Sequence, residues 1–489
     1  MTARPNIPAV AAAPLVARIE RQWDADIVPQ LVDYIRIPAK SPHFDAQWAQ
    51  NGHIERAIRQ AEAWVRAQPV AGMAVEIVRI EGRTPVLFFD IPATGGLPAD
   101  RTVVFYGHLD KQPEMTGWRE GLGPWEPVME EGRLYGRGGA DDGYAVFAAL
   151  SAVMALDAEQ VARPRCVGLI ETCEESGSYD LPAYLDLLAP RMGSVQLVVA
   201  LDSGAGNYEQ LWVTTSLRGL VNGTLEVKIL DEGVHSGDAG GVVASSFRIA
   251  RQVLDRIDDS RTGVVKPAAF NCDIPADRLA QAAQAAAILG DSVWKRFPWA
   301  ACCDDHGTAS LFAEPVTKDP TELVLNRTWR AALAVTGADG LPPTGAAGNV
   351  QRPFTKLKLS LRIPPLVDGP SAGAHLKATL EADPPYRARV VFEGDSAATG
   401  WNAPPVAPWL SAALDAASMA NFGRSAAYMG EGGTIPFMGM LGVKFPQAQM
   451  LVTGVLGPKS NAHGPNEFLH VPYAKRVTVA TAMVVAAAP

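Results

Sequence analysis

Three short apolar runs in the first half of the chain each end on side chains that can bind a cation or move a proton. Thr102-Val103-Val104-Phe105-Tyr106 runs into Gly107-His108-Leu109-Asp110, Cys166-Val167-Gly168-Leu169-Ile170 into Glu171-Thr172-Cys173-Glu174-Glu175, and Leu197-Val198-Val199-Ala200-Leu201 into Asp202. A continuous apolar run closed by glycine or acid is what a parallel strand buried on both faces requires. Helical patterns lie between these runs, over 142–156 and 179–188. Strands alternating with helices restrict this part of the chain to an α/β sheet, in which ligands bind outside the carboxyl ends of the strands. His108, Glu174, Glu175 and Asp202 all fall at such ends.

At 489 residues the chain exceeds what one hydrophobic core organises, so two domains are expected. Before the first of the three runs, helices are predicted over 17–36 and 53–67, and strands over 75–80 and 85–91. From Leu217 the grammar changes to a strand over 219–229, a helix over 241–257, strands over 328–336 and 354–363, a helix over 371–380 and a strand over 386–392. That βαββαβ order is the ferredoxin-like arrangement. The expected architecture is therefore α/β: a catalytic domain from 1–216 and 398–489, with a mixed, mainly parallel sheet flanked by helices, and an inserted α+β ferredoxin-like domain over 217–397. A connection over 266–322, with a helix of its own over 276–289, is long enough to suggest an interaction role. Helices over 408–422 and 474–487 and a strand over 448–453 complete the first pattern.

With 43 basic against 52 acidic side chains and net charge −9, nucleic acid and anionic membranes are not expected partners. No uninterrupted apolar run of roughly 20 residues stands out. The stretch 8–17 is broken by prolines and led by a single Arg4, a poor signal peptide, so a cytoplasmic location is expected. The five cysteines, Cys166, Cys173, Cys272, Cys302 and Cys303, have no C-x-x-C spacing, which argues against a disulfide framework or a thiolate zinc site.

The chemistry concentrates in Gly136-Arg137-Gly138-Gly139-Ala140-Asp141-Asp142-Gly143, where two adjacent acids sit among glycines just before an apolar helix. Alone, Asp-Asp-Gly is an ordinary solvated turn. Together with His108, Glu175, Asp202 and His463, however, Asp141 completes a set of two imidazoles and three carboxylates, a donor set suited to zinc or another borderline divalent ion. Asp141 is the candidate carboxylate shared by two ions. Asp110, two residues after His108, is placed to accept the ring's other N–H and fix its tautomer. Glu174, whose side chain leaves the strand end in a different direction from that of Glu175, is the candidate general base for an ion-activated water. No role is assigned to His43, His53, His306, His375 or His470, while Trp118 and Trp125 suit a pocket wall or core packing equally.

Gly107-His108-Leu109-Asp110, the Gly136 to Asp142 stretch, Glu174-Glu175, Asp202 and Ala462-His463-Gly464 resemble, in order and spacing, the co-catalytic zinc peptidases related to carnosinase, aminoacylase, acetylornithine deacetylase and glutamate carboxypeptidase. The resemblance is strongest to the carnosinase-like dipeptidases. It implies two zinc ions per chain, with manganese or cobalt as substitutes, one held by His108, Asp141 and Asp202 and the other by Asp141, Glu175 and His463. It also implies a homodimer formed through the inserted lid domain, in which His235 of Val234-His235-Ser236-Gly237 stabilises the oxyanion in the partner subunit's site. Asn349 and Arg362 match substrate-binding positions, and Glu431-Gly432-Gly433-Thr434 matches a turn that receives the substrate's termini. Two departures bear on specificity: Gly430 stands where arginine is usual, and no histidine occurs between His375 and His463.

The expected function is dinuclear zinc-dependent hydrolysis of the amide bond of dipeptides or short peptides by a metal-bound hydroxide. The alternative is an N-acyl amino acid amidohydrolase or carboxypeptidase acting on blocked substrates. A catalytically dead scaffold is disfavoured, because all five ligand positions and Glu174 are present.

Overall fold

The computed structural model describes residues 12–303 and 309–489. The chain divides into two compact units, one of residues 1–214, 403–428 and 440–489, the other of residues 215–402 and 429–439. The strands Trp212–Leu217 and Ala427–Glu431 carry the chain across this division. The segment 429–439 thus groups with the inserted unit, whereas the sequence reading placed it with the first.

The first unit is built on a six-stranded sheet in the order Ala74–Val78, Val86–Ile91, Arg165–Glu171, Arg101–His108, Ser194–Ala200, Gln449–Val452. The first two pairings are antiparallel and the next three parallel. Its central strands are buried nearly end to end, as their unbroken apolar sequences require. The helix Tyr144–Ala158 is apolar all round, with Tyr144, Phe147, Leu150, Val153 and Leu156 all buried. The stretch Gly139–Ala158 has the length and hydropathy of a membrane span, against the expectation from sequence, but 94% of its most apolar 18-residue window is buried inside the structure, as a central core helix should be. The helix Val471–Ala486 packs beside it.

The second unit contains a four-stranded antiparallel sheet in the order Ala332–Asp339, Phe354–Ile363, Gly219–Lys228, Arg389–Ala398. Burial alternates strictly along Gly219–Lys228 and Phe354–Ile363, so one face carries Val221, Leu225, Val227, Leu357, Leu359 and Leu361. Helices Ser246–Leu254 and Gly369–Glu381 cover that face with Ile249, Val253, Leu376 and Leu380, completing the ferredoxin-like topology.

In the second unit three elements depart most from the sequence reading. The strand expected at 328 begins at Ala332, because Pro320–Thr328 is a helix whose N-cap Asp319 accepts hydrogen bonds from the N–H of Thr321 and Glu322. The strand expected over 386–392 is Arg389–Ala398, the chain before it being held in a 3-10 turn that follows Pro384. The helix expected over 241–257 is confined to Ser246–Leu254. The connection over 266–322 holds helices Ala276–Leu289 and Ser292–Lys295 and a two-stranded pair, Ala301–Cys303 with Ala309–Phe312. His306 and the side chains of Cys302 and Cys303 lie outside the described residues.

Candidate metal centre

His108 is the last residue of the central strand Arg101–His108, and Glu171 ends the neighbouring strand. Glu174 and Glu175 follow in a single 3-10 turn, and Asp202 lies two residues beyond Ala200. The carboxyl edge of the parallel strands therefore delivers four of these side chains directly. Asp141 arrives on the glycine-rich bend Gly139–Gly143. That bend is glycine-rich for a steric reason: Gly138 has φ +84°, and a Cβ on Gly143 would lie 2.1 Å from Tyr34 Cε1 and 2.7 Å from the Gly138 carbonyl. His463 comes from the loop before Phe468–His470 with φ +65°.

Two donor groups result, each with its three ligand atoms within 4.8 Å of one another: His108, Asp141 and Asp202, and Asp141, Glu175 and His463. Asp141 belongs to both. Its Oδ1 is 3.4 Å from His108 Nε2 and its Oδ2 is 3.0 Å from His463 Nε2. Asp202 Oδ2 lies 3.8 Å from His108 Nε2, and Glu175 Oε2 lies 3.4 Å from His463 Nε2. The first group is buried throughout, whereas the side chain of His463 is 55% exposed, so the second opens toward solvent.

The residues fit a pair of divalent cations. Among the described residues His108 Nε2 is enclosed without a hydrogen-bond partner, although carboxylates flank it. Burial pushes Glu175 up to about 8 and Asp202 to about 7, with the charge of Asp141 adding to both. Burial opposes charge on the His463 ring, yet Asp141 and Glu175 hold its pKa up at about 9. A field that retains a proton on imidazole is one that attracts a cation, and carboxylates crowded in a low-dielectric site require one.

Asp110 acts somewhat differently from expectation. Its carboxylate accepts the backbone N–H of Glu174 at 3.1 Å and of Glu175 at 3.0 Å. His108 Nδ1 is 3.1 Å from the Asp110 carbonyl and 3.5 Å from its carboxylate. One residue thus orients a ligand ring and the turn that carries the candidate base. Four contributors escaped the sequence reading. Asp142, fully buried, receives the backbone N–H of His108; Gln112 donates to Glu175 Oε2 at 2.6 Å. Arg137 pairs with buried Glu467 and donates to the carbonyls of His463 at 3.0 Å and Gly464 at 2.9 Å. Arg137 was in view within the glycine-rich stretch, but nothing local signals its partner 330 positions away.

The remaining candidates lie in the second unit. His235 and Val350 are register partners in a two-stranded ribbon that also brings up Asn349, whose carbonyl accepts Ser236 N–H. His235 is exposed, and its Nδ1 accepts the Gly237 N–H at 3.1 Å. Arg362 donates from Nη1 to Thr434 Oγ1 at 3.0 Å, and the Thr434 hydroxyl donates to the Arg218 carbonyl at 2.6 Å. Gly430 has no room for a side chain: a Cβ there would meet Ser216 Oγ at 2.4 Å and Thr328 Cβ at 2.9 Å. Of the histidines given no role, His470 caps the final helix and stacks on Tyr208, and His375 packs edge-on against Phe270.

Fold and site together define a two-unit α/β protein with a pair of cation-binding groups, sharing one carboxylate, at the carboxyl edge of its parallel strands. The chain belongs to Peptidase family M20/M25/M40, whose profile matches residues 104–488 and so includes every residue of both donor groups. Among curated relatives, the human Beta-Ala-His dipeptidase is 31% identical over 193 residues, covering 39% of this chain and 38% of that protein. The Cysteinylglycine-S-conjugate dipeptidase of Corynebacterium striatum is 26% identical over 396 residues, covering 78% of this chain and 80% of its own. The same fold occurs in the di-peptidase Dug1p from Saccharomyces cerevisiae, with TM-score 0.74, 19% identity and 98% of both chains covered. It occurs also in human carnosine dipeptidase 1, with TM-score 0.74, 20% identity, and 98% of this chain and 99% of the other covered.

Proposed function

We propose that the protein is a dinuclear zinc-dependent hydrolase of dipeptides or short peptides. The observation that carries this reading is the sharing of Asp141 by two three-residue donor groups, with Glu174 on the turn beside them. Dipeptidase activity in the relatives supports the substrate class.

Zinc ions held by these groups would supply Lewis acidity toward the scissile carbonyl and acidify water. Glu174 takes the proton from the attacking water and passes it to the leaving nitrogen. Asp110, through the backbone of Glu174 and Glu175, holds both carboxylates in position. Because His235 Nδ1 accepts a backbone N–H, the ring proton sits on Nε2, where it is free to donate. His235 thereby serves as oxyanion donor to the partner subunit's site in a homodimer formed through the second unit. Arg362 grips the substrate carboxylate, Asn349 a substrate oxygen, and the Glu431-Gly432-Gly433-Thr434 turn the substrate's termini, with Glu431 receiving a free α-amine.

The test is metal content per chain together with turnover of free and N-acylated dipeptides, before and after chelation. About two zinc ions and chelator-sensitive cleavage of free dipeptides are expected. Cleavage of blocked substrates alone would move the protein to the amidohydrolase reading. No bound metal and no turnover after zinc or manganese is restored would overturn both.

A further inference from the structure

Arg218, Arg327 and Arg362, brought together within the second unit, surround the Glu431–Thr434 turn. Arg218 is buried, with Nε donating to the Gly432 carbonyl at 3.3 Å and Nη1 to the carbonyls of Asn326 at 3.3 Å and Arg330 at 3.2 Å. A Cβ on Gly432 would lie 3.0 Å from the Arg327 carbonyl, 3.1 Å from Arg218 Nη2 and 3.4 Å from Arg327 Cγ, so the glycine lets the turn pack directly against both arginines. Arg362 reaches the same turn at Thr434. Arg327 places Nη2 3.0 Å from Met429 Sδ, and its Nε is enclosed without a hydrogen-bond partner among the described residues. Arg296, at the surface, adds a guanidinium whose charge is felt with those of Arg327 and Glu431.

None of these arginines forms an ion pair among the described residues, although guanidinium groups are the usual partners of buried carboxylates. Burial, followed by the charges of Arg362 and Arg327, pushes Arg218 down to about 10. Like charges held this close in a poorly solvated place repel, and the arrangement is relieved by anions. Arg218 donates to three backbone carbonyls, and a substrate α-carboxylate would lie on Arg362, which leaves Arg327 with its Nε unsatisfied among the described residues.

We propose that Arg327, supported by Arg218, forms a subsite for a second carboxylate, so that the preferred substrates are dipeptides with a C-terminal aspartate or glutamate. Arg327 is then a specificity-determining residue, supplied by the helix Pro320–Thr328 to a turn where position 430 has no space for a side chain. The inference rests on the reading above that this turn and Arg362 hold the substrate.

The experiment compares Ala-Glu with Ala-Gln, and Glu-Ala with Gln-Ala, as substrates of the zinc-loaded enzyme and of Arg327→Gln and Arg327→Lys. The same peptides are titrated by calorimetry into Glu174→Gln protein, with and without Arg327→Gln. Ala-Glu is expected to exceed Ala-Gln in kcat/KM by about tenfold or more, chiefly through KM, the scale set by one charge-assisted contact. Arg327→Gln should bring that ratio close to one while Arg327→Lys keeps part of it, with melting temperatures showing that both variants fold. A ratio near one in the wild type, a ratio unmoved by Arg327→Gln, or a preference for Glu-Ala instead would overturn the proposal while leaving dipeptide hydrolysis intact. Preferential binding of Ala-Glu without hydrolysis of any peptide would do the reverse.

Discussion

Glu174, the proposed general base, and Asp110 lie side by side with their carboxylates differently occupied. Asp110, fully buried, spends its carboxylate on two backbone N–H groups, while among the described residues no hydrogen bond from a protein donor occupies that of the half-buried Glu174. A free carboxylate beside the donor groups is what proton transfer needs. Glu174→Gln should therefore retain both ions by metal analysis while kcat falls by about 10²–10⁴-fold; undiminished turnover would refute the assignment. The Arg137–Glu467 pair works one step further out, tying the Asp141 bend to the His463 loop through Gly138 N–H and the His463 and Gly464 carbonyls. Neutralising one partner strands a buried charge. Glu467→Gln is expected to cost about 3–5 kcal/mol in denaturant unfolding and to weaken metal retention, since the backbone that carries His463 loses its anchor.

At the scale of elements, the centre depends on a bend forced against a helix. Gly136, Gly139 and Gly143 face Ile35 and Tyr34 of the Val28–Ile35 helix, which leaves no space for side chains there, while Gly138 faces Lys111; the Tyr34 hydroxyl donates to the Leu109 carbonyl at 3.1 Å. Gly143→Ala drives a methyl into Tyr34 and the Gly138 carbonyl. A loss of about 1–3 kcal/mol in unfolding free energy is expected, together with reduced metal content, because the same displacement moves Asp141. The strand ends were legible in the sequence, since a buried strand closing on a polar residue is a local pattern. The helix Pro320–Thr328 was missed although its signal, Asp319 before Pro320, was present, because the β-branched and aromatic residues that follow look like strand.

For the whole molecule, the proposed homodimer makes each site depend on two chains. Mixing inactive His235→Ala with inactive Glu174→Gln should restore activity that neither has alone, because one site of the mixed dimer then combines an intact Glu174 with an intact His235. Subunit exchange confirmed by sedimentation or mass spectrometry, with no recovered turnover, would remove His235 from the mechanism.

The sequence by itself determined the alternation of strands and helices, the inserted ferredoxin-like unit and the residue types at the strand ends, all of which follow from hydrophobic period and local turn chemistry. Tertiary structure alone decided that Glu467 answers Arg137, that Gln112 reaches Glu175, and that Arg218 and Arg327 flank the Glu431 turn. The reason is physical: a charged side chain carries no periodic signal of its partner, and burial, which sets both its pKa and its need for a counter-charge, exists only once distant segments have packed.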